Sequence, residues 1–124
     1  MPAKILIVED HDDSREILAH MLRHLNYEPL EAATGEEAIE KALNESPDLI
    51  IMDLWLPGIN GVEATRRLKQ NPKTARIPII AYTASEHQDY KHKALAAGMA
   101  GFLMKPTPHR VFKQIIEKFL STKP

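Results

Sequence analysis

Short apolar runs alternate along this chain with longer segments in which apolar positions recur every three or four residues. Residues 5–8, 49–52, 77–82 and 100–104 are too short for helices, and the first three carry β-branched residues, so they read as strands. Residues 27–32 join them, but Pro29 lies inside that run. A proline cannot donate to a ladder, which assigns this strand to a sheet edge. The run at 49–52 shows no polar alternation and is bounded by Pro47, the pattern of a strand buried on both faces. Pro78 stands near the start of its strand, where a missing N–H is tolerated.

The segments between carry helical spacing. The first helix starts around Asp12 to Ser14 with acids in its first turn, where the helix dipole favours them. Its positions Ile17, Leu18, Met21, Leu22 and Leu25 fall on one face, and Asn26 suits a left-handed stop. Thr34 and Glu37 form a capping box for a second helix that buries Ala38, Ile39, Ala42 and Leu43 and ends before Pro47. The chain turns through Leu56, Pro57 and Gly58, and a third helix over 60–70 packs through Val62, Thr65 and Leu68. A fourth, over 86–97, is polar for two turns, with Ala94, Leu95 and Ala97 as core candidates and Gly98 as its C-cap. It is expected to be the least firmly packed helix. Thr107 and Pro108 suit the N-cap and first position of a last helix, with Val111, Phe112, Ile115, Ile116, Phe119 and Leu120 as its broad apolar face. That face is mainly core, and a residue or two of it is open to a dimer role. Five strands alternating with five helices predict an α/β fold, a doubly wound parallel sheet with helices on both faces.

Composition narrows the picture. The chain has 124 residues, 44% of them apolar, which suits one packed domain spanning 1–124. A formal charge of −1 gives no electrostatic case for nucleic acid or an acidic membrane. The absence of cysteine excludes disulfides and thiolate metal sites. No apolar run approaches the ~20 residues of a membrane span, and the chain turns acidic at Glu9 before a secretory segment forms. A soluble cytoplasmic domain is the expectation.

In a parallel sheet, strand ends of one sense share one rim, where open α/β sheets place their ligands. Every predicted strand but the second ends in a reactive polar residue: Glu9 and Asp10, Asp53, Thr83, Lys105. Alone, Asp53 reads equally well as a strand-end acid facing water. Together, the carboxylates are hard oxygen ligands that suit Mg²⁺, and an ammonium and a hydroxyl beside them suit a phosphoryl group.

The motifs ILIVED, MDLWLPGING, IIAYTA and FLMKP stand in the order and spacing of a known family. The chain resembles a receiver domain of the two-component response regulators, related to the chemotaxis regulator CheY, across essentially its whole length. The resemblance implies a flavodoxin-like five-stranded sheet of order 2-1-3-4-5 with five helices. It implies that Asp53 accepts a phosphoryl group from a phosphohistidine of a sensor histidine kinase or phosphotransfer protein. It further implies Mg²⁺, for which Mn²⁺ can substitute, held by Asp10, Asp53 and the backbone carbonyl of Trp55, with Glu9 acting through water. Thr83 matches the switch hydroxyl, with the Ala84 backbone beside the phosphoryl site. Lys105 matches the lysine that pairs with the phosphoryl group, its bond to Pro106 is cis, and Phe102 matches the aromatic that changes rotamer on activation. Such a domain catalyses only its own phosphorylation and slow dephosphorylation. It signals to a downstream protein effector, as a monomer or weak homodimer, without touching nucleic acid or membrane. Trp55 and Ser85 stand at positions that border the path of the hydrolytic water, so phosphoryl lifetime is left open. Phe102 lacks the hydroxyl a tyrosine would offer a partner.

Two rival readings come from other classes. A flavin-binding electron carrier of this fold needs a hydroxyl- and glycine-rich loop after the first strand, where this chain has acids. A receiver-like interaction module acting without phosphorylation is the other alternative. Among the six histidines, His20 and His24 are spaced to share a metal, yet their face reads as solvated. His11 beside the acid pair reads as a loop residue in water, and His87 and His92 as part of a polar helix face.

Overall fold

The computed structural model describes residues 2–84 and 90–121. Its elements run β1 (Lys4–Val8), α1 (Asp12–His24), β2 (Glu28–Ala32), α2 (Gly35–Glu45), β3 (Leu49–Asp53), α3 (Gly61–Gln70), β4 (Ile79–Ala84), α4 (Lys91–Ala97), β5 (Gly101–Lys105) and α5 (His109–Ser121). All strand pairs are parallel, in the order β2-β1-β3-β4-β5. The Pro29 strand is at the edge, as its missing N–H requires.

Alternation along the central strands divides the core in two. Ile5, Ile7, Leu49, Ile51, Ile80 and Leu103 face Leu18, Ala19 and Leu22 of α1 and Phe112 and Ile116 of α5. On the other face, Leu6, Val8, Ile50, Met52, Ile79 and Ala81 pack against α2, α3 and α4. Both sets are needed because successive side chains point to opposite sides of a strand. This is why β3 is apolar without interruption until Asp53.

Several boundaries shift for local reasons. Asn26 takes φ 68°, and the Tyr27 N–H donates to the Leu22 carbonyl at 2.9 Å. Tyr27 therefore closes α1 instead of opening β2. Ile77 donates its N–H to Thr74 in the preceding turn, so β4 begins two residues later than predicted and continues through Ala84. The strand β5 is displaced by one residue, to end on Lys105. The predicted start of the fourth helix lies outside the described residues.

Two core assignments and one helix cap are corrected. Ile17 is 61% exposed and Leu95 50%; each neighbours buried positions, but helical geometry turns it roughly 100° away from them. Thr107 does not cap α5. Its hydroxyl donates back to the Met104 carbonyl, and the first helical N–H, of Phe112, reaches the Pro108 carbonyl instead. By contrast Thr34 caps α2 as expected, accepting from the Glu37 N–H at 3.0 Å. Glu37 reaches one residue further back than a standard capping box, to the Ala33 N–H at 2.7 Å. No helix among the described residues is long and apolar enough to cross a membrane.

Candidate functional site

The carboxyl ends of β1, β3, β4 and β5 bring the predicted residues together at one rim. Met52 pairs with Val8 and Asp53 with Tyr82, and Ala84 pairs with Lys105. Register thus sets Glu9 beside Asp53 and Lys105 across from both. Asp53 is 4% exposed, so the reading of a strand-end acid facing water fails. Its Oδ2 accepts from Lys105 Nζ at 3.1 Å, and its Oδ1 accepts from the Trp55 N–H at 3.0 Å. Lys105 Nζ also donates to Glu9 Oε1 at 2.7 Å, and the Glu9 side chain is fully buried.

This geometry separates the two acids electrostatically. Burial pushes Asp53 up to about 6, and the neighbouring Glu9 carboxylate adds to the rise against the opposing Trp55 N–H and Lys105. Burial is the largest influence on Glu9 and works to raise it, but the hydrogen bonds from Lys105, Asp53 and the His11 N–H, with the Lys105 charge, together outweigh it and hold Glu9 at about 2. Lys105 is raised in spite of its own burial because both carboxylates face it. One of the pair is therefore a firm anion and the other a carboxyl that readily takes a proton.

Asp10 lies at the mouth of the site. Its Oδ1 is buried without a hydrogen-bond partner among the described residues; His11 Nδ1 is 3.4 Å away but out of line for a bond. A buried, unpaired carboxylate oxygen is costly unless a cation or donor meets it. Glu9, Asp10 and His11 offer ligand atoms within 4.8 Å of one another. His11 is thus more than the free loop residue expected: its exposed ring lies 3.3 Å from Glu9 Oε2. The donor set of hard carboxylate oxygens with one orphaned lone-pair site fits a divalent cation such as Mg²⁺.

The remaining predicted residues surround this core. Thr83 is buried at 2% exposure, and among the described residues its hydroxyl makes only a long contact, 3.4 Å, to the Ala84 carbonyl. Phe102 is partly buried against the core of the α4 side, with Lys91 Nζ 5.4 Å from its ring centre. The Lys105–Pro106 bond is cis. Trp55 is 41% exposed and stands edge-on to Tyr90, centroids 4.5 Å apart.

Two neighbours escaped the sequence reading. Arg15 reaches back from α1 to the Glu9 carbonyl at 2.7 Å and to Glu31 on β2 at 3.3 Å, pinning the first strand-to-helix turn. Tyr82 lies under Lys105, whose Nζ is 5.1 Å from the ring centre. Neither position carries a local signal, since each contact depends on strand order. His20, His24 and His92 are exposed, and His87 lies outside the described residues.

Comparison with known proteins agrees with this geometry. The model of the response regulator receiver domain family matches residues 5–117. The phosphate regulon transcriptional regulatory protein PhoB of Pseudomonas aeruginosa is 41% identical over 102 residues, 82% of this chain and 44% of PhoB. The polar-differentiation response regulator DivK of Brucella anthropi is 31% identical over 97% of this chain and 98% of its own length. Among solved structures, the receiver domain of the sensor histidine kinase PA1611 from Pseudomonas aeruginosa, with a magnesium ion in its active-site cleft, superposes with a TM-score of 0.91. It shares 33% identity over 98% of this chain and all of that one. The chain spans less than half of PhoB and 4% of a hybrid histidine kinase of Dictyostelium discoideum, but nearly all of DivK.

Proposed function

The chain belongs to the response regulator receiver family of two-component signalling domains, and from that premise we propose that Asp53 is the phosphoacceptor of this domain. The reading adds a cytoplasmic setting and a sensor histidine kinase or phosphotransfer protein as donor. The observation that carries it is the triad of Glu9, Asp53 and Lys105, closed at 2.7 and 3.1 Å at the end of the central strand.

Asp53 offers a carboxylate oxygen to the phosphorus of the donor's phosphohistidine. An O–P bond forms as the P–N bond breaks, and the imidazole leaves with the electron pair and takes up a proton there. Lys105 already holds its ammonium against Asp53 Oδ2, so its charge meets the arriving phosphoryl oxygens without new ordering. Glu9, kept ionised, holds Lys105 in that position. Asp10, Asp53 and the Trp55 carbonyl would hold Mg²⁺, with Glu9 acting through water; the ion supplies positive charge that offsets repulsion between carboxylate and phosphoryl oxygens. The Thr83 hydroxyl gives up only its long contact to Ala84 when it turns to donate to a phosphoryl oxygen. The space it leaves is on the side of Phe102, which favours an inward ring and a changed surface for a protein effector.

Intact-mass measurement after incubation with a small-molecule phosphodonor and Mg²⁺ tests this. Wild type should gain one phosphoryl group and Asp53→Asn none. Equal labelling of the two proteins would assign the acceptor elsewhere.

A further inference from the structure

Where α1 meets the start of α5, the fold gathers imidazoles that the strand-end site does not use. His20 and His24 lie one turn apart on α1, and His109 is the first residue of α5. All three are exposed, and with Met21 they line a shallow pocket of about 340 Å³. The packing beneath sets their spacing, because Leu18 and Leu22 of α1 share one core cluster with Phe112 and Ile116 of α5. The rings of His24 and His109 approach edge to face with centroids 6.1 Å apart. No hydrogen bond or ion pair among the described residues engages any of the three rings.

Neutral imidazole suits zinc, copper and nickel, whereas magnesium prefers oxygen. Two histidines at i and i+4 on a helix present their nitrogens to one ion from the same face. With Zn–N of ~2.1 Å and the ring centre roughly 1 Å beyond the nitrogen, two imidazoles at a tetrahedral angle hold their centroids about 5 Å apart. The 6.1 Å between His24 and His109 is already close to this. The three rings do not converge on one point as they stand, unlike the ligand atoms of residues 9–11. Convergence takes only rotation of exposed side chains, a fast and inexpensive motion. The spacing of His20 and His24 is visible in the sequence, whereas the third imidazole arrives only through the packing of α5 on α1.

We propose that His20, His24 and His109 form a surface site for a late first-row divalent cation, distinct from the oxygen site at the strand ends. An ion bound there clips α1 to the first turn of α5. It is held fully only when both helices are docked, so it favours the folded chain.

The test is a calorimetric titration of the full chain with Zn²⁺ in millimolar Mg²⁺, with thermal melts alongside. One saturable zinc site and a raised melting temperature are expected. His24→Gln and His109→Gln should each weaken zinc binding by at least about tenfold, the smaller loss known for removing even an outer-shell partner of a ligand. Asp10→Asn should bind zinc as wild type does, because the acid cluster is not the source. Melting temperatures of the histidine variants without zinc should match wild type, since exposed rings add little to packing. Zinc binding unchanged in His109→Gln would reduce the site to a two-histidine helix face and overturn the proposal. Loss of zinc binding in Asp10→Asn, or no saturable binding at all, would overturn it equally.

Discussion

At the scale of single residues, the site depends on two carboxyls with opposite tendencies. Asp53 sits at about 6 in the folded chain against an ordinary 3.8. The folded state therefore holds a proton that the unfolded chain has released, and this stabilisation is lost as pH rises from about 4 to about 6. Glu9 behaves in the opposite sense. Its value of about 2, against 4.5, contributes stability above pH ~4.5 that is lost as pH falls towards 2. Asp53→Asn removes the first effect, and although it also alters one of the hydrogen bonds that lower Glu9, Glu9 stays ionised above pH ~4.5 and adds no slope there. In metal-free buffer the variant should therefore be more stable than wild type, with a gap that widens between pH 4.5 and pH 8 to at most about 3 kcal/mol. Denaturant melts at the two pH values check this, and a gap that narrows with pH would contradict the assigned shift. Thr83 is the other residue whose chemistry is poised. Because its hydroxyl holds only a 3.4 Å contact among the described residues, Thr83→Ala should retain phosphoryl uptake yet lose ~1–3 kcal/mol of coupling to the effector surface. Equal effector binding by phosphorylated wild type and variant would count against the switch.

At the scale of elements, the turn from β3 into α3 is built on close approach. Gly61 opens α3 with its N–H on the Leu54 carbonyl at 3.0 Å. A Cβ there would fall on the Asp53 carbonyl oxygen and lie 3.0 Å from the Leu54 Cα. Both obstacles are backbone and cannot swing aside. Asn60 caps the same helix, accepting from the Glu63 N–H at 2.9 Å. Gly61→Ala should consequently push β3 and α3 apart beside Asp53, the proposed acceptor, costing roughly 1–3 kcal/mol of stability and slowing phosphorylation. Thr34→Ala, which removes a working cap from α2, should cost a comparable ~1 kcal/mol while leaving phosphorylation intact. Melts and labelling rates together separate the two, and similar labelling loss in both variants would refute the distinction.

At the scale of the whole molecule, the site exists because strand order brings distant segments together. Lys105 bonds Glu9 across 96 positions and Asp53 across 52. Trp55 reports on this assembly. Its N–H is on Asp53, and its indole stands half open against Tyr90. Mg²⁺ entering the acid cluster changes the field at the indole, so a saturable fluorescence change on adding Mg²⁺ is expected. Asp10→Ala, which deletes the orphaned oxygen, should weaken the apparent affinity at least about tenfold. Changing His24 should leave it alone. Mg²⁺ affinity indifferent to Asp10 would remove the cation from this cluster.

Periodicity determined the five strands, the five helices and their alternation, because each element's burial pattern is local in sequence. Proline chemistry determined that β2 lies at an edge. Polar residues closing four apolar runs determined the composition of the rim, since parallel connection carries all strand ends to one side. Tertiary structure alone decided which partner each of those groups takes. The bond of Lys105 to Glu9 as well as Asp53, the opposite shifts of the two acids and the unpaired Asp10 oxygen all depend on distances set by register. So do Arg15 reaching β1 and β2, Tyr82 beneath Lys105, and His109 arriving beside His24. The same reason explains the misjudged positions. Helical spacing marks Ile17 and Leu95 as apolar, but only the neighbouring elements decide where the buried face of a helix stops. Thr107 has a capping residue's chemistry, yet its hydroxyl bonds the Met104 carbonyl at the end of β5.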